Sequence, residues 1–216
     1  MYYIQVNDYS KKLKGNYVLK NVNVRFEEGH VYGLKGKNGS GKTMLMRAIS
    51  GLIHPTSGHV DINGQILGRD ISYPDSLGLL LENPAFLNGE TGFENLSLLA
   101  KLKNQITEEE IRQTLTDVGL DPDDKRKYYK YSLGMKQKLG IAAAIMEKPK
   151  LIILDEPINA LDSETAEKIK NIILREKERG ALVILACHDT EELEYLSDII
   201  VEISEGEIQG ISDSIA

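Results

Sequence analysis

Gly36-Lys37-Asn38-Gly39-Ser40-Gly41-Lys42-Thr43 fits the pattern G-x-x-x-x-G-K-[ST], the spacing of a phosphate-binding loop. Its flanks fit too. The apolar run Val31-Tyr32-Gly33-Leu34 reads as a strand entering the loop, and Met44-Leu45-Met46-Arg47-Ala48-Ile49 reads as a helix leaving it. In that setting glycines let backbone N–H groups turn inward around phosphates. The helix N-terminus adds a partial positive charge. Gly36, Asn38, Gly39, Ser40 and Gly41 form the cradle, Lys42 reaches toward the β- and γ-phosphates, and Thr43 offers a hydroxyl to Mg²⁺. The run therefore predicts a nucleoside triphosphate ligand. Without Lys42 and Thr43 the same glycines would be an ordinary turn before a helix.

Working outward, the 216 residues suit one large domain or a domain carrying an insertion. The charged fraction of 27% and the hydrophobic fraction of 41% are those of a globular protein with a real core. A formal net charge of -7 argues against nucleic acid as the main partner. The lone cysteine, Cys187, excludes an internal disulfide and suits a reducing compartment. It lies in an apolar run and reads as a buried, inert thiol. No stretch approaches the roughly 20 apolar residues of a membrane span, and the first residues do not read as a signal peptide. The expectation is a cytoplasmic chain, held at a membrane only through another protein.

Periodicity divides the chain in three. Short strands are expected at 3–6, 22–26, 31–34 and 77–81, with a hairpin across Asn63-Gly64. The middle turns helical. Thr91-Gly92-Phe93-Glu94 and Thr107-Glu108-Glu109-Glu110 match the capping box and predict helices over 92–103 and 108–118, with a third over 134–147 stopping before Pro149. The last third alternates strands at 151–154, 182–186 and 199–203 with helices at 163–179 and 189–196. Apolar, unalternating strands separated by helices predict a mostly parallel, buried sheet. The expected architecture is an α/β core whose first part, with an N-terminal antiparallel β subdomain, spans 1–82, a helical insertion over 83–148 that carries the segment 131–137, and the second part of the core over 149–216. The basic run Lys125-Arg126-Lys127-Tyr128-Tyr129-Lys130-Tyr131 reads as a solvated loop.

Leu151-Ile152-Ile153-Leu154-Asp155-Glu156 is an apolar strand ending in two acids. Such a strand delivers them to the carboxyl edge of the sheet, where α/β folds bind ligands. Asp155 is the candidate Mg²⁺ ligand and Glu156 the candidate base for a water attacking the γ-phosphate.

One helix earlier stands Tyr131-Ser132-Leu133-Gly134-Met135-Lys136-Gln137. Here the chain resembles the ATP-binding-cassette ATPases, whose signature L-S-G-G-Q is often followed by K/R-Q. Ser132, Gly134 and Gln137 fit; Tyr131, Leu133 and Met135 depart. Read from the residues, this is a helix N-terminus with a serine hydroxyl, either an anion site or an ordinary N-cap. The resemblance implies that Ser132 and Gly134 cap the γ-phosphate held by a second copy. Asn159-Ala160-Leu161-Asp162 resembles the family's D-loop, His188 its switch histidine, and Pro55-Thr56-Ser57-Gly58 its usual turn. Two positions outside the signature also depart. Glu82 stands where the family carries the Q-loop glutamine, with a role in ordering water or Mg²⁺. Leu13 lies where an aromatic residue usually stacks on adenine, leaving Tyr9 or Tyr17 as substitutes.

The resemblance implies ATP and Mg²⁺ as ligands, a head-to-tail dimer closed by ATP, and a separate integral-membrane permease. The segment 131–139 is most similar to exporter ATPases for drugs, peptides or bacteriocins, which favours export over import. Two other readings stand beside it: a soluble cassette ATPase acting on ribosomes or DNA, against which the acidic charge and the single cassette argue, and a P-loop kinase or GTPase, against which Ser132 and His188 argue.

Overall fold

The computed structural model describes residues 2–82 and 84–214. Asn83, the expected start of the helical insertion, lies outside them, as do Met1 and residues 215–216. In order the chain forms β1 (Tyr2–Leu13), β2 (Asn16–Glu27), β3 (Val31–Lys35), α1 (Lys42–Ile49), β4 (Ser57–Ile62), β5 (Gln65–Ile66), β6 (Leu77–Leu80), α2 (Gly92–Lys103), α3 (Glu108–Asp117), α4 (Leu133–Ile145), β7 (Leu151–Asp155), α5 (Ser163–Glu178), β8 (Leu182–Ala186), α6 (Thr190–Leu196), β9 (Ile199–Ser204) and β10 (Glu207–Asp213).

The strands make two sheets. One is antiparallel with the order β2-β1-β4-β5. The other has the order β10-β9-β3-β8-β7-β6 and is parallel throughout except for β10. Every residue of β7 and β8 is buried, as unalternating apolar runs require. Successive residues of β7 enter opposite cores. Ile152 and Leu154 join α2, α3, α4 and α5 on one face, while Leu151 and Ile153 join α1 and the antiparallel sheet on the other.

Both capping boxes form. Thr91 and Thr107 each accept from the backbone N–H three residues on, and Glu94 and Glu110 return the bond. Two glycines then bring α4 directly onto β6. A Cβ on Gly78 would lie 1.8 Å from the Ala144 carbonyl oxygen, and one on Gly140 would lie 2.7 Å from Leu80 Cδ1. At Gly78 the obstacle is backbone and only hydrogen fits; at Gly140 it is the Leu80 and Pro84 side chains.

Three expectations need correction. The short strands at 3–6 and 22–26 belong to β1 and β2, a hairpin of twelve residues a side. Its polar half hid the pattern, because Asp8 and Asn21 sit at φ 47° and 46° beside register shifts that break the alternation. The edge strand β10 was not expected. It turns back on β9 through Glu205-Gly206 and is largely exposed, so its sequence carries little apolar pattern. The basic run is not a solvated loop throughout. Residues Tyr128–Lys130 form a 3-10 turn, and Tyr128 and Tyr131 are buried. The Tyr131 hydroxyl accepts from Gly92 N at 3.1 Å, satisfying an orphan amide at the start of α2.

Candidate nucleotide site

The loop between β3 and α1 wraps on itself. Gly41 caps α1 at φ 114°, a conformation natural to glycine. A Cβ on Gly36 would lie 2.3 Å from the Ile203 carbonyl oxygen. The Lys42 ammonium donates to Gly36 O at 2.7 Å and to Lys37 O at 3.2 Å, drawing its charge into the mouth of the loop. Ser40 Oγ is buried and has no hydrogen-bond partner among the described residues. A cationic amine, a free buried hydroxyl and a glycine cradle are the donor set a polyphosphate needs.

Beside the loop, Thr43 Oγ1 donates to Asp155 Oδ2 at 2.7 Å. Glu156 follows β7 at φ 54°, left-handed for a residue with a side chain, and this turns it away from the strand. The turn is held from two sides. Glu156 N donates to Ala186 O at 3.0 Å. The buried Gln137 amide on α4 donates to Glu156 O at 2.8 Å and to Pro157 O at 3.3 Å. The Glu156 carboxylate accepts from His188 N at 3.0 Å, with His188 Nε2 3.6 Å from its other oxygen. Burial, the largest influence, pushes the Glu156 carboxyl above its ordinary value. Glu82 follows β6 at φ 52°, and its carboxylate accepts from Arg47 Nη2 at 2.7 Å.

These groups line one cleft of about 740 Å³. Asn38, Gly39, Gly41, Lys42, Thr43, Glu82, Asp155, Glu156 and His188 all face it. Gly36 and Ser40 border the adjoining hollow with Asn38, Gly39 and His188. Ser132 and Gly134 are not brought to this cleft; only Leu133 between them reaches it. Ser132 is exposed and caps α4, accepting from Met135 N at 3.2 Å.

Burial separates the two tyrosines. Tyr9 is 1% exposed, with its hydroxyl on Ile53 O at 3.1 Å. Tyr17 is 49% exposed and lines the cleft, with the Lys12 ammonium 4.4 Å from its ring. Cys187 is buried as expected, and burial pushes its thiol up to about 12. Sequence reasoning gave Gln137 no role beyond its fit to the signature and gave Arg47 none. The signal for Gln137 was a polar residue in register with the apolar, inward positions of α4; for Arg47 it was a position one turn beyond Thr43.

The sequence model of the ABC transporter family matches residues 19–159, a span that holds the loop, Glu82, Ser132, Asp155 and Glu156. The chain belongs to the ABC transporter family. This cassette is 45% identical over 206 residues to an uncharacterized ABC transporter ATP-binding protein of Bacillus subtilis, covering 95% of this chain and 94% of that one. It is 36% identical to the bacitracin transport ATP-binding protein BcrA of Enterococcus faecalis, covering 96% of this chain and 68% of the relative. It is 34% identical to the lantibiotic transport ATP-binding protein SrtF of Streptococcus pyogenes, covering 95% and 88%. Among solved structures, a dimeric ATP-binding cassette in a post-hydrolysis state, bound to ADP and Pi, superimposes with a TM-score of 0.88. That match has 25% identity and covers 99% of both chains. The cassette is thus an ATP-binding ATPase with the expected core, a mostly parallel sheet with an antiparallel sheet and helices.

Proposed function

We propose that this cassette hydrolyses ATP to power transport, in the export direction, through a separate membrane permease. The observation that carries the hydrolytic part is the cleft itself, where Lys42, the Thr43–Asp155 pair, Glu156 and His188 converge. Lys42 binds the β- and γ-phosphates by exchanging its loop carbonyls for phosphate oxygens. Thr43 and Asp155 would hold Mg²⁺, which when bound neutralises charge on the transferring phosphoryl group. Among the described residues no group of three or more His, Cys, Asp or Glu side chains makes a metal site alone. That suits an ion taking its remaining ligands from phosphate and water. Glu156 takes the proton of the attacking water, its raised carboxyl placing it nearer the working pH. His188 steadies Glu156 from the next loop. Glu82 orders water or Mg²⁺ at the rim, and Tyr17 stacks on the base.

Ser132 lies exposed and Gly134 half-buried at a helix start, both off their own cleft, which supports a second copy bringing them to the γ-phosphate in trans. Export rests on the relatives named for bacitracin and lantibiotic transport. No helix among the described residues is long and apolar enough to cross a membrane, so the permease supplies the path and holds the cassette at the inner face. We assign 1–82 and 149–216 to the ATP-binding core and 83–148 to the helical unit. The apolar groove lined by Leu52, Leu81, Phe86 and Leu99 is the docking surface for the permease.

The test pairs two substitutions. Lys42→Ala abolishes ATP binding in calorimetry with the fold intact. Glu156→Gln keeps binding, loses hydrolysis by about a hundredfold or more, and accumulates an ATP-bound dimer. Normal hydrolysis by Glu156→Gln would remove the base from this reading. Co-purification with ribosomes or DNA rather than a membrane protein would remove the permease.

A further inference from the structure

Helix α1 carries two polar grips on one face. Thr43 holds Asp155, and Arg47, one turn further on, holds Glu82. Asp155 ends β7 and Glu82 follows β6, neighbouring strands that pair in register from Leu77 with Leu151 to Leu80 with Leu154. The first grip belongs to the phosphate machinery. The second has no counterpart in the motifs, and it meets the one position where this chain carries a carboxylate in place of an amide.

Glu82 lines the nucleotide cleft. A polyphosphate entering it meets an anion at the rim, which an amide would not present. Arg47 stands outside that cleft, bordering the apolar groove with Leu81 and Pro84. Its guanidinium meets Glu82 where both side chains are partly open to solvent, 36% exposed for Arg47 and 62% for Glu82. Glu82 also occupies the left-handed region at φ 52°, which costs a residue with a side chain and persists only where neighbours hold it.

We infer that Arg47 is a positioning residue for the ATPase reaction, which cancels the Glu82 charge and fixes its carboxylate at the rim so that a cleft with an acid there accepts ATP. Arg47 acts on Glu82 and has no contact with the phosphates. The inference rests on the cleft being the ATP site, and it separates Arg47 from Lys42, whose charge acts on phosphate directly.

The experiment is a double-mutant cycle on the full chain, with ATP affinity read by calorimetry and KM and kcat read by steady-state hydrolysis. Arg47→Ala leaves Glu82 uncompensated and raises the Kd and KM for ATP on the order of fivefold, the scale of one charge across a partly hydrated cleft. Arg47→Lys keeps the charge and stays within about twofold of the original chain. The decisive arm is Arg47→Ala in a Glu82→Gln background. With no carboxylate to cancel, the arginine has nothing to do, and affinity returns to that of Glu82→Gln alone. A merely structural arginine would show the same loss in both backgrounds, and so would one that touched phosphate; either result overturns the inference. An unchanged Kd in Arg47→Ala overturns it too, as does Arg47→Lys behaving like Arg47→Ala. Lys42→Ala serves as the reference. If it binds ATP normally, the site is misplaced and the cleft reading fails. If it fails to bind while the cycle shows no rescue, only the role of Arg47 fails.

Discussion

Replacing Gln137 by leucine tests how Glu156 is held. Leucine nearly conserves volume on the inward face of α4 but cannot donate. Two hydrogen bonds are lost, to Glu156 O at 2.8 Å and to Pro157 O at 3.3 Å. Glu156 O keeps the bond from Asn159 N at 3.2 Å, so its loss is partial. The net cost of an unmet buried acceptor and a weakened one is about 1–2 kcal/mol. For a chain of this size that lowers Tm by roughly 3–6 °C. Activity falls further than stability, because Glu156 sits at φ 54° and relaxes once unclamped. A shift of the carboxylate by part of an ångström costs on the order of ten- to a hundredfold in kcat, with ATP affinity nearly unchanged. Denaturant melts, calorimetry and steady-state ATPase assays on the same preparation separate the three quantities. Wild-type kcat in a Gln137→Leu chain of reduced stability would refute the clamp. A matching loss of ATP affinity would show that Gln137 serves the nucleotide instead.

The remaining expectations concern charge, base and partner. Burial raises the Glu156 carboxyl above its ordinary 4.5, so the fold favours its protonated form. Its stabilising contribution is complete below about pH 4.5 and lost as pH rises through the raised value. Glu156→Gln should therefore be more stable than the original chain at pH 7–8, with the gain vanishing below pH 4.5 in denaturant melts; a constant gain across that range would contradict the cause. Wild-type hydrolysis should fall on the acid side at a pH above 4.5, read from a kcat–pH profile. Tyr17→Ala should weaken ATP on the order of three- to tenfold yet leave inorganic triphosphate unchanged, the scale of a ring stacking contact; equal losses for both ligands in calorimetry would count against stacking. Ser132→Arg should spare ATP binding by the single chain and block the ATP-dependent dimer in size-exclusion chromatography.

The parallel core was readable because its signals are local and redundant. The loop spacing, the apolar runs of β7 and β8 and the two capping boxes each occupy a few consecutive residues. What escaped lay either in polar strands or between distant segments. The outer half of β1 has bulges where alternation should be, and β10 is an exposed edge. At the site the phosphate loop and the acids of β7 were readable from spacing. Choosing Tyr17 over Tyr9 was not, since it depends on Ile53, 44 residues from Tyr9, taking the Tyr9 hydroxyl. Gln137 and Glu156 are 19 residues apart and meet only because α4 packs on the sheet face over β6 and β7. Arg47 and Glu82 are 35 apart and meet for the same kind of reason.

The contact between Gly78 and Ala144 bears on how freely parts of this cassette could be exchanged with those of its relatives. Where side chains meet, a graft can be repaired by trimming one and enlarging another. Where Gly78 meets Ala144 there is no such layer, because backbone lies on backbone, and next to it the Leu80 and Pro84 side chains pack straight onto the α4 backbone at Gly140. A transplant bounded at 83 and 148 would cut through this seam and set a foreign helix on a strand that has no side chain to trim at Gly78. The smallest unit that travels intact is larger than the helices, and it must take β6 and Glu82 with it.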